Sequence, residues 1–192
     1  MQLIIAGRGG QGILLMTKVL GEAAFLSGLP VLSSETHGMA LRGGSVITHL
    51  KVGPYRSPLI PRGTADMVIG MDEEETRNSV HFLREDGVMI INCSNGSGNG
   101  FPSIDAKRLA RELGDIRLSN MVLLGFAVSH LIPLFPPLTV KEAIRRVSPG
   151  SFSEQNLKAF DLGFQTGSDP KKGLHEKGGD PGRLLFTSYL LL

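Results

Sequence analysis

Gly7, Gly9 and Gly12 fall at the spacing G-x-G-x-x-G within Gly7-Arg8-Gly9-Gly10-Gln11-Gly12. In a loop of this kind the first glycine permits a tight turn. The second lets backbone approach an anion, and the third lets a helix pack closely. The N–H groups of a helix start, carrying about half a unit of positive charge, then favour a phosphate. Gly10 and Gln11 complete this candidate binding loop. The same glycines would serve in a turn that packs helix on sheet and binds nothing, so the spacing leaves both readings open. Glu35 follows Gly12 by roughly twenty residues, where a dinucleotide fold places its ribose-binding acid.

A second polar cluster runs from Glu35-Thr36-His37-Gly38 to Arg42-Gly43-Gly44-Ser45. If both loops follow parallel strands, they gather at one edge of the sheet, where ligands bind. Arg42 could then clamp a phosphate or carboxylate, and His37 could donate a proton or a hydrogen bond. The plainer alternatives are a histidine bonded to backbone and an arginine paired with Glu35 or with a partner's acid. Asp72-Glu73-Glu74-Glu75 reads as acids matched to the positive start of a helix.

No self-sufficient catalytic set is visible. His37, His49, His81, His130 and His175 lack metal-type spacing. There is no P-loop, nucleophile elbow or Cys–His pair. Cys93 is the only cysteine and ends an apolar run, which reads as core. One thiol can build neither a disulfide within the chain nor an iron–sulfur cluster. No metal site is expected here.

These residues need elements to hold them. Gln2 to Ala6 is a continuous apolar run, the pattern of a buried strand. Ile13, Met16, Leu20, Ala23 and Ala24 then recur at helical steps until Gly28. Pro30 to Ser33 reads as a second strand, giving a βαβ unit, with Glu35 to Gly44 as a polar loop beyond it. Ser45 to Val52 alternates as a strand, and Asp66 to Gly70 and Val88 to Ile91 are further strands. Helices are expected from Asp72, over Asp105–Leu113 and over Asn120–Leu131. Capping boxes at Thr139/Glu142 and Ser151/Glu154 head two more. The expected fold is a Rossmann-like three-layer α/β/α sandwich around a mainly parallel sheet, with the Gly-rich loop after its first strand.

The 192 residues suit one domain, taken as 1–166, followed by a Gly/Pro/Lys-rich tail, 167–192. The tail's apolar end, Leu184 to Leu192, is too short to span a membrane and is expected to pack on a neighbouring chain. Net charge is +2 and aromatics are 6%, which gives nucleic acid no basic or stacking surface. No secretory leader or membrane span is read, and a cytoplasmic setting is expected.

Beside these patterns, IIAGRGGQGILLMTKVLGEAA, SSETHGMALRGGSVITHLK, ADMVIGMDEEE, FPSIDAKRLARELG, SNMVLLG and FSEQNLKAFDLGF resemble the gamma-type subunits of 2-oxoacid:ferredoxin oxidoreductases. The ETHGMA-x-RGGSV wording is most similar to the small (beta) subunit of indolepyruvate oxidoreductase. The resemblance covers Met1 to about Phe164, and Leu41 replaces the family's usual glutamine. It implies coenzyme A-dependent oxidative decarboxylation of a 2-oxoacid to acyl-CoA, carbon dioxide and reduced ferredoxin. Thiamine diphosphate and the iron–sulfur clusters would belong to partner subunits. This chain has no GDG…NN pattern, since Asp86-Gly87 lacks the preceding glycine. Coenzyme A is the ligand the chain could share, and ferredoxin would be reached through the complex. In isolation the chain is expected to be inactive, alone or as a homodimer. Two rival functions remain: a stand-alone NAD-binding dehydrogenase using Gly7, Gly9, Gly12 and Glu35, and a non-enzymatic module that senses a small anionic ligand.

Overall fold

The computed structural model describes residues 1–38, 43–94, 100–131, 134–148 and 150–169, with His37 described by its backbone. A six-stranded sheet has the order β2-β3-β1-β4-β5-β6. Its strands are β1 (Gln2–Arg8), β2 (Val31–His37), β3 (Ser45–Val52), β4 (Ala65–Gly70), β5 (Leu83–Asn92) and β6 (Ser103–Ile104). Strand β1 pairs in parallel with β4, β4 with β5, and β5 with β6. Strand β3 alone runs the other way, antiparallel to both β1 and β2. The sheet is therefore mainly parallel, as expected. Leu3, Ile4, Ile5 and Ala6 are fully buried because β1 is central and covered on both faces, hence an unbroken apolar run rather than alternation.

The βαβ expectation needs a correction. Strands β1 and β2 are parallel and joined by helix α1 (Ile13–Leu26), but β3 lies between them. Strand β2 also reaches further than its apolar start suggests. Glu35, Thr36 and His37 are ladder residues opposite Thr48, Ile47 and Val46, not loop residues. On an edge strand, polar side chains can point to water while the backbone keeps its ladder, so hydropathy undercounts the strand.

The two faces are covered unequally. Helices α1, α3 (Ala106–Glu112), α4 (Ser119–Ser129), α5 (Pro137–Val147) and α6 (Ser153–Ser168) contribute to one large core with Leu3, Ile5 and Leu50. The opposite face carries a smaller core of Ile4, Ala6, Val68 and Ile91, closed by Ile60 and by Phe82 from a 3-10 turn. Helix α2 (Glu73–Ser79) sits on that second face, where Thr76 occupies the space a Cβ on Gly70 would need.

Helix α4 is buried along its whole length from Ser119 to Val128, as befits a helix apolar all round. It lies beside α6 at backbone contact, through Gly125, Gly163 and Gly167. Neither expected capping box forms. Helix α5 starts at Pro137, whose ring suits the first helical position, so Thr139 already lies inside the first turn. Ser151 belongs to a 3-10 turn, and Phe152 occupies the cap position of α6. The tail beyond Asp169, including its apolar end, lies outside the described residues.

Candidate functional site

Strands β1 and β4 are parallel neighbours, yet α1 leaves β1 toward the large core and α2 leaves β4 toward the small one. Helices that part in this way open a crevice at the carboxyl ends of the two strands, the usual ligand position in doubly wound sheets. The Gly-rich loop stands there. It is tightened by the Arg8 N–H donating to Gln11 Oε1 at 2.8 Å and the Gln11 N–H donating to the Arg8 carbonyl at 3.1 Å. Gln11 thus braces the turn.

Gly7, Gly10 and Gly12 each have a local reason. A Cβ on Gly7 would lie 2.6 Å from Ile13 Cδ1 and 2.7 Å from Gln11 Oε1. Gly10 and Gly12 have φ of 91° and 78°, in the region that favours glycine. A Cβ on Gly12 would meet Asn120 Nδ2 at 2.1 Å. The close approach is made by α4 as well as by the helix that Gly12 starts. Asn120, almost fully buried at the head of α4, donates to the Gly12 carbonyl at 3.4 Å.

Part of the second cluster joins the first. The Gly9 N–H donates to the Gly44 carbonyl at 2.9 Å, and Ser45 faces Arg8 in the β1–β3 register. The Gly38 N–H donates to the Ser45 carbonyl at 2.7 Å. Gly43, at φ 67°, completes the turn into β3. Arg42 lies outside the described residues. Glu35 is not brought to the loop. It stands level with Ile5 on β2, with β3 between, and so about 10 Å across the sheet from β1 at normal strand spacing. A dinucleotide fold needs that acid on the strand beside β1, so the ribose role expected for Glu35 has no geometry here. Thr36 follows Glu35 on the same edge strand, and His37 pairs with Val46.

Sequence reading missed several residues at this edge. Arg8 projects from the end of β1 to the first turn of α2. Its Nη2 donates to Glu74 at 2.5 Å, and its Nε lies 3.6 Å from Asp72 and 3.9 Å from Glu75. The Asp72-Glu73-Glu74-Glu75 run does head a helix, with Asp72 Oδ1 accepting the N–H groups of Glu74 and Glu75. It is also the counter-charge of Arg8. Asn92, at the end of β5, donates to the Met71 carbonyl at 3.1 Å and accepts the Ala106 N–H at 2.9 Å, tying β4, β5 and α3 together. Between these elements lies an open cleft of about 310 Å³, bounded also by Ser94 and Lys107. A cation after one strand and acids after its neighbour was the available signal for Arg8. A lone amide heading an apolar run was the signal for Asn120.

Cys93 is 3% exposed and belongs to the small core, as expected. Among the described residues no three of His, Cys, Asp and Glu are grouped as a metal ion would require. Likewise, no described helix is long and apolar enough to cross a membrane. His49 is buried on β3 with its Nδ1 accepting the Ile60 N–H at 3.1 Å. Burial first, and Lys51 nearby second, lower its pKa.

Fold and crevice together define a doubly wound α/β domain with a glycine loop at its switch point. More particularly, the chain belongs to the pyruvate ferredoxin/flavodoxin oxidoreductase family, whose model matches residues 2–166. It is 31% identical to the indolepyruvate oxidoreductase subunit IorB of Archaeoglobus fulgidus, over 85% of this chain and 94% of that one. Among solved structures it resembles the gamma subunit of a keto/oxoacid ferredoxin oxidoreductase from Geobacter sulfurreducens. The TM-score is 0.71 at 24% identity, covering 86% of this chain and 97% of that one. A 2-oxoglutarate:ferredoxin oxidoreductase from Magnetococcus marinus, solved with 2-oxoglutarate, coenzyme A and succinyl-CoA, shares the fold with a TM-score of 0.72 at 22% identity. The match spans 94% of this chain and 33% of that longer one.

Proposed function

We propose that this chain is the small, gamma-type subunit of a multi-subunit 2-oxoacid:ferredoxin oxidoreductase. The complex would convert a 2-oxoacid and coenzyme A to acyl-CoA and carbon dioxide, with the released electrons passing to ferredoxin. Thiamine diphosphate and iron–sulfur clusters would be held by partner subunits, because one buried thiol cannot ligate a cluster. Family membership and likeness to named small subunits along nearly their whole length support the partnership.

Within the complex, this chain would shape or gate the entrance for coenzyme A and substrate, and would dock on the cofactor-bearing subunits. The observation that carries this is the joining of the glycine loop to the Gly43–Ser45 turn through Gly9 and Gly44 at the carboxyl edge. With the Gly9 and Gln11 N–H groups committed within the paired turns, the first N–H groups of α1 would be the ones to meet a diphosphate.

The test is co-purification of the tagged chain from its native host, followed by assay of coenzyme A-dependent viologen reduction with several 2-oxoacids. A brown, thiamine diphosphate-containing companion is expected. Turnover by the chain alone, or absence of such a companion, rejects the reading. In the assembled enzyme, Arg42→Ala should raise the apparent KM for coenzyme A. An unchanged KM rejects the entrance role and leaves the partnership intact.

A further inference from the structure

The two ends of the sheet are finished differently. Strand β6 has two residues, a short edge of the kind that resists pairing with another chain, whereas β2 has seven. The register of β2 against β3 runs from Val31 to His37 without a bulge. Its run Val-Leu-Ser-Ser-Glu-Thr-His holds no proline, lysine or arginine to guard the edge. The backbone directions follow from the ends of the ladder. The Pro30 carbonyl accepts the Gly53 N–H at 2.8 Å, and the Gly38 N–H donates to the Ser45 carbonyl at 2.7 Å. Hydrogen-bonded positions alternate along a strand, so the even-numbered residues turn N–H and C=O to β3. Val31, Ser33, Glu35 and His37 turn theirs outward, past the last strand of the sheet.

We infer that this edge is the interface between two copies of the chain, joined β2 to β2 in antiparallel so that two six-stranded sheets become one. A two-fold axis requires a patch that matches itself, and the sequence of β2 selects the register. With the axis at Ser34, Val31 of one copy meets His37 of the other, and Ser33 of one meets Glu35 of the other. Every outward N–H and C=O of the strand is then used, about eight hydrogen bonds in all. The residues at the axis are two serines, small enough for the close Cα spacing of about 4.5 Å where a facing pair exchanges no hydrogen bond. An axis at Glu35 would set two carboxylates face to face, and an axis at Ser33 would carry His37 past the start of the strand. The one acid of the edge therefore never meets its like. An axis perpendicular to the sheet also keeps the large-core faces of both copies on the same side, so each layer continues into its counterpart.

This interface is a property of the chain itself, so its failure leaves the partnership reading standing. Sedimentation of the full-length chain from about 1 to 200 µM should show a monomer–dimer equilibrium. In the dimer, the Val31, Ser33 and Glu35 amides should be protected from hydrogen exchange, since only a neighbouring strand can bond them. Ser33→Pro removes an outward N–H that the single copy does not use, and Ser34→Lys sets two ammonium groups beside the axis. Each should raise the dimer dissociation constant by about tenfold or more, with thermal melts showing the fold kept. An equal mixture of Ser34→Lys and Ser34→Glu should dimerise again. Lys158→Met, on exposed α6 surface, should change nothing. The inference is overturned if the chain stays monomeric throughout. Slow exchange at those amides would then give the edge to the chain's own apolar tail, and fast exchange would leave it to a partner subunit. It is equally overturned if the dimer survives both Ser33→Pro and Ser34→Lys.

Discussion

Replacing Gly163 by alanine tests whether the large core depends on backbone contact between α4 and α6. The new Cβ would lie 1.9 Å from the Val122 carbonyl oxygen, 2.7 Å from its carbon and 3.0 Å from the Phe126 nitrogen. All three are backbone atoms, so no side chain can swing aside, and the helices must part by about an ångström. Overpacking of this kind costs about 1–3 kcal/mol, and a rigid backbone obstacle places it near the upper end. Against that, alanine in mid-helix gains about 1 kcal/mol over glycine. The net loss is therefore about 2 kcal/mol, or a fall in Tm of roughly 4–8 °C for a chain this long. Gly21→Ala is the matched control. Gly21 lies in α1 with nothing within 4 Å of its missing Cβ, so the same change should raise stability by about 0.5–1 kcal/mol. Thermal melts followed by circular dichroism read both. A Gly163→Ala protein melting at or above the unaltered chain would refute the backbone-contact argument, as would an equal fall in Gly21→Ala.

Other outcomes follow from single groups. Asn92→Ala strands the Met71 carbonyl and the Ala106 N–H, and should lower the unfolding free energy by about 1–3 kcal/mol in a urea titration. Glu74→Gln should change it by less than about 1 kcal/mol, because that side chain is exposed and water screens its pair with Arg8. Gly12→Ala forces a positive φ on a side chain and drives Cβ into Asn120, so proteolysis within residues 7–12 should quicken while the far core stays protected. The histidines set a pH dependence. Burial lowers the pKa of His49 and of His130 below the ordinary 6.5, so the unfolded chain takes up protons first on acidification. The histidines' contribution should be constant above about pH 6.5 and fall below it, through the folded pKa values; the fall should be smaller in His49→Gln. A urea midpoint that rises on acidification would contradict that sign.

Apolar runs and glycine spacing were enough to read most elements, because burial on both faces leaves an unmistakable mark. The all-apolar β1 and the periodic α1 are the clearest cases, and Ser45 to Val52 showed its alternation directly. Pairing was less legible. Nothing in Ser45-Val46-Ile47-Thr48 says which neighbour it takes, and its insertion between β1 and β2 is settled by tertiary packing, including the buried Thr17–Thr48 hydroxyl pair at 2.6 Å. Caps were misread for a related reason. Thr139 and Ser151 satisfy the local pattern, but Pro137 and the 3-10 turn before α6 start those helices elsewhere. At the crevice, the glycines could be read from spacing because their conformations are local. Arg8, Asn92 and Asn120 could not, because each acts on residues more than a dozen positions away.

The inserted β3 decides what kind of site this edge can be. In a dinucleotide fold the acid after the second strand and the glycine loop after the first are neighbours, and one ligand spans both. Here the strand next to β1 on that side is antiparallel, so it delivers its beginning, Gly43 to Ser45, to the glycine loop. Glu35 is held one strand further out and level with Ile5. Glycine backbone therefore replaces an acidic side chain opposite the loop, while side-chain charge collects on the other flank, between Arg8 and α2. On one flank stand the glycine turns, on the other an acid-rich cleft, and among the described residues no three of His, Cys, Asp and Glu are grouped to hold a metal ion. On the function proposed above, the chemistry on the 2-oxoacid falls to a partner subunit facing this edge.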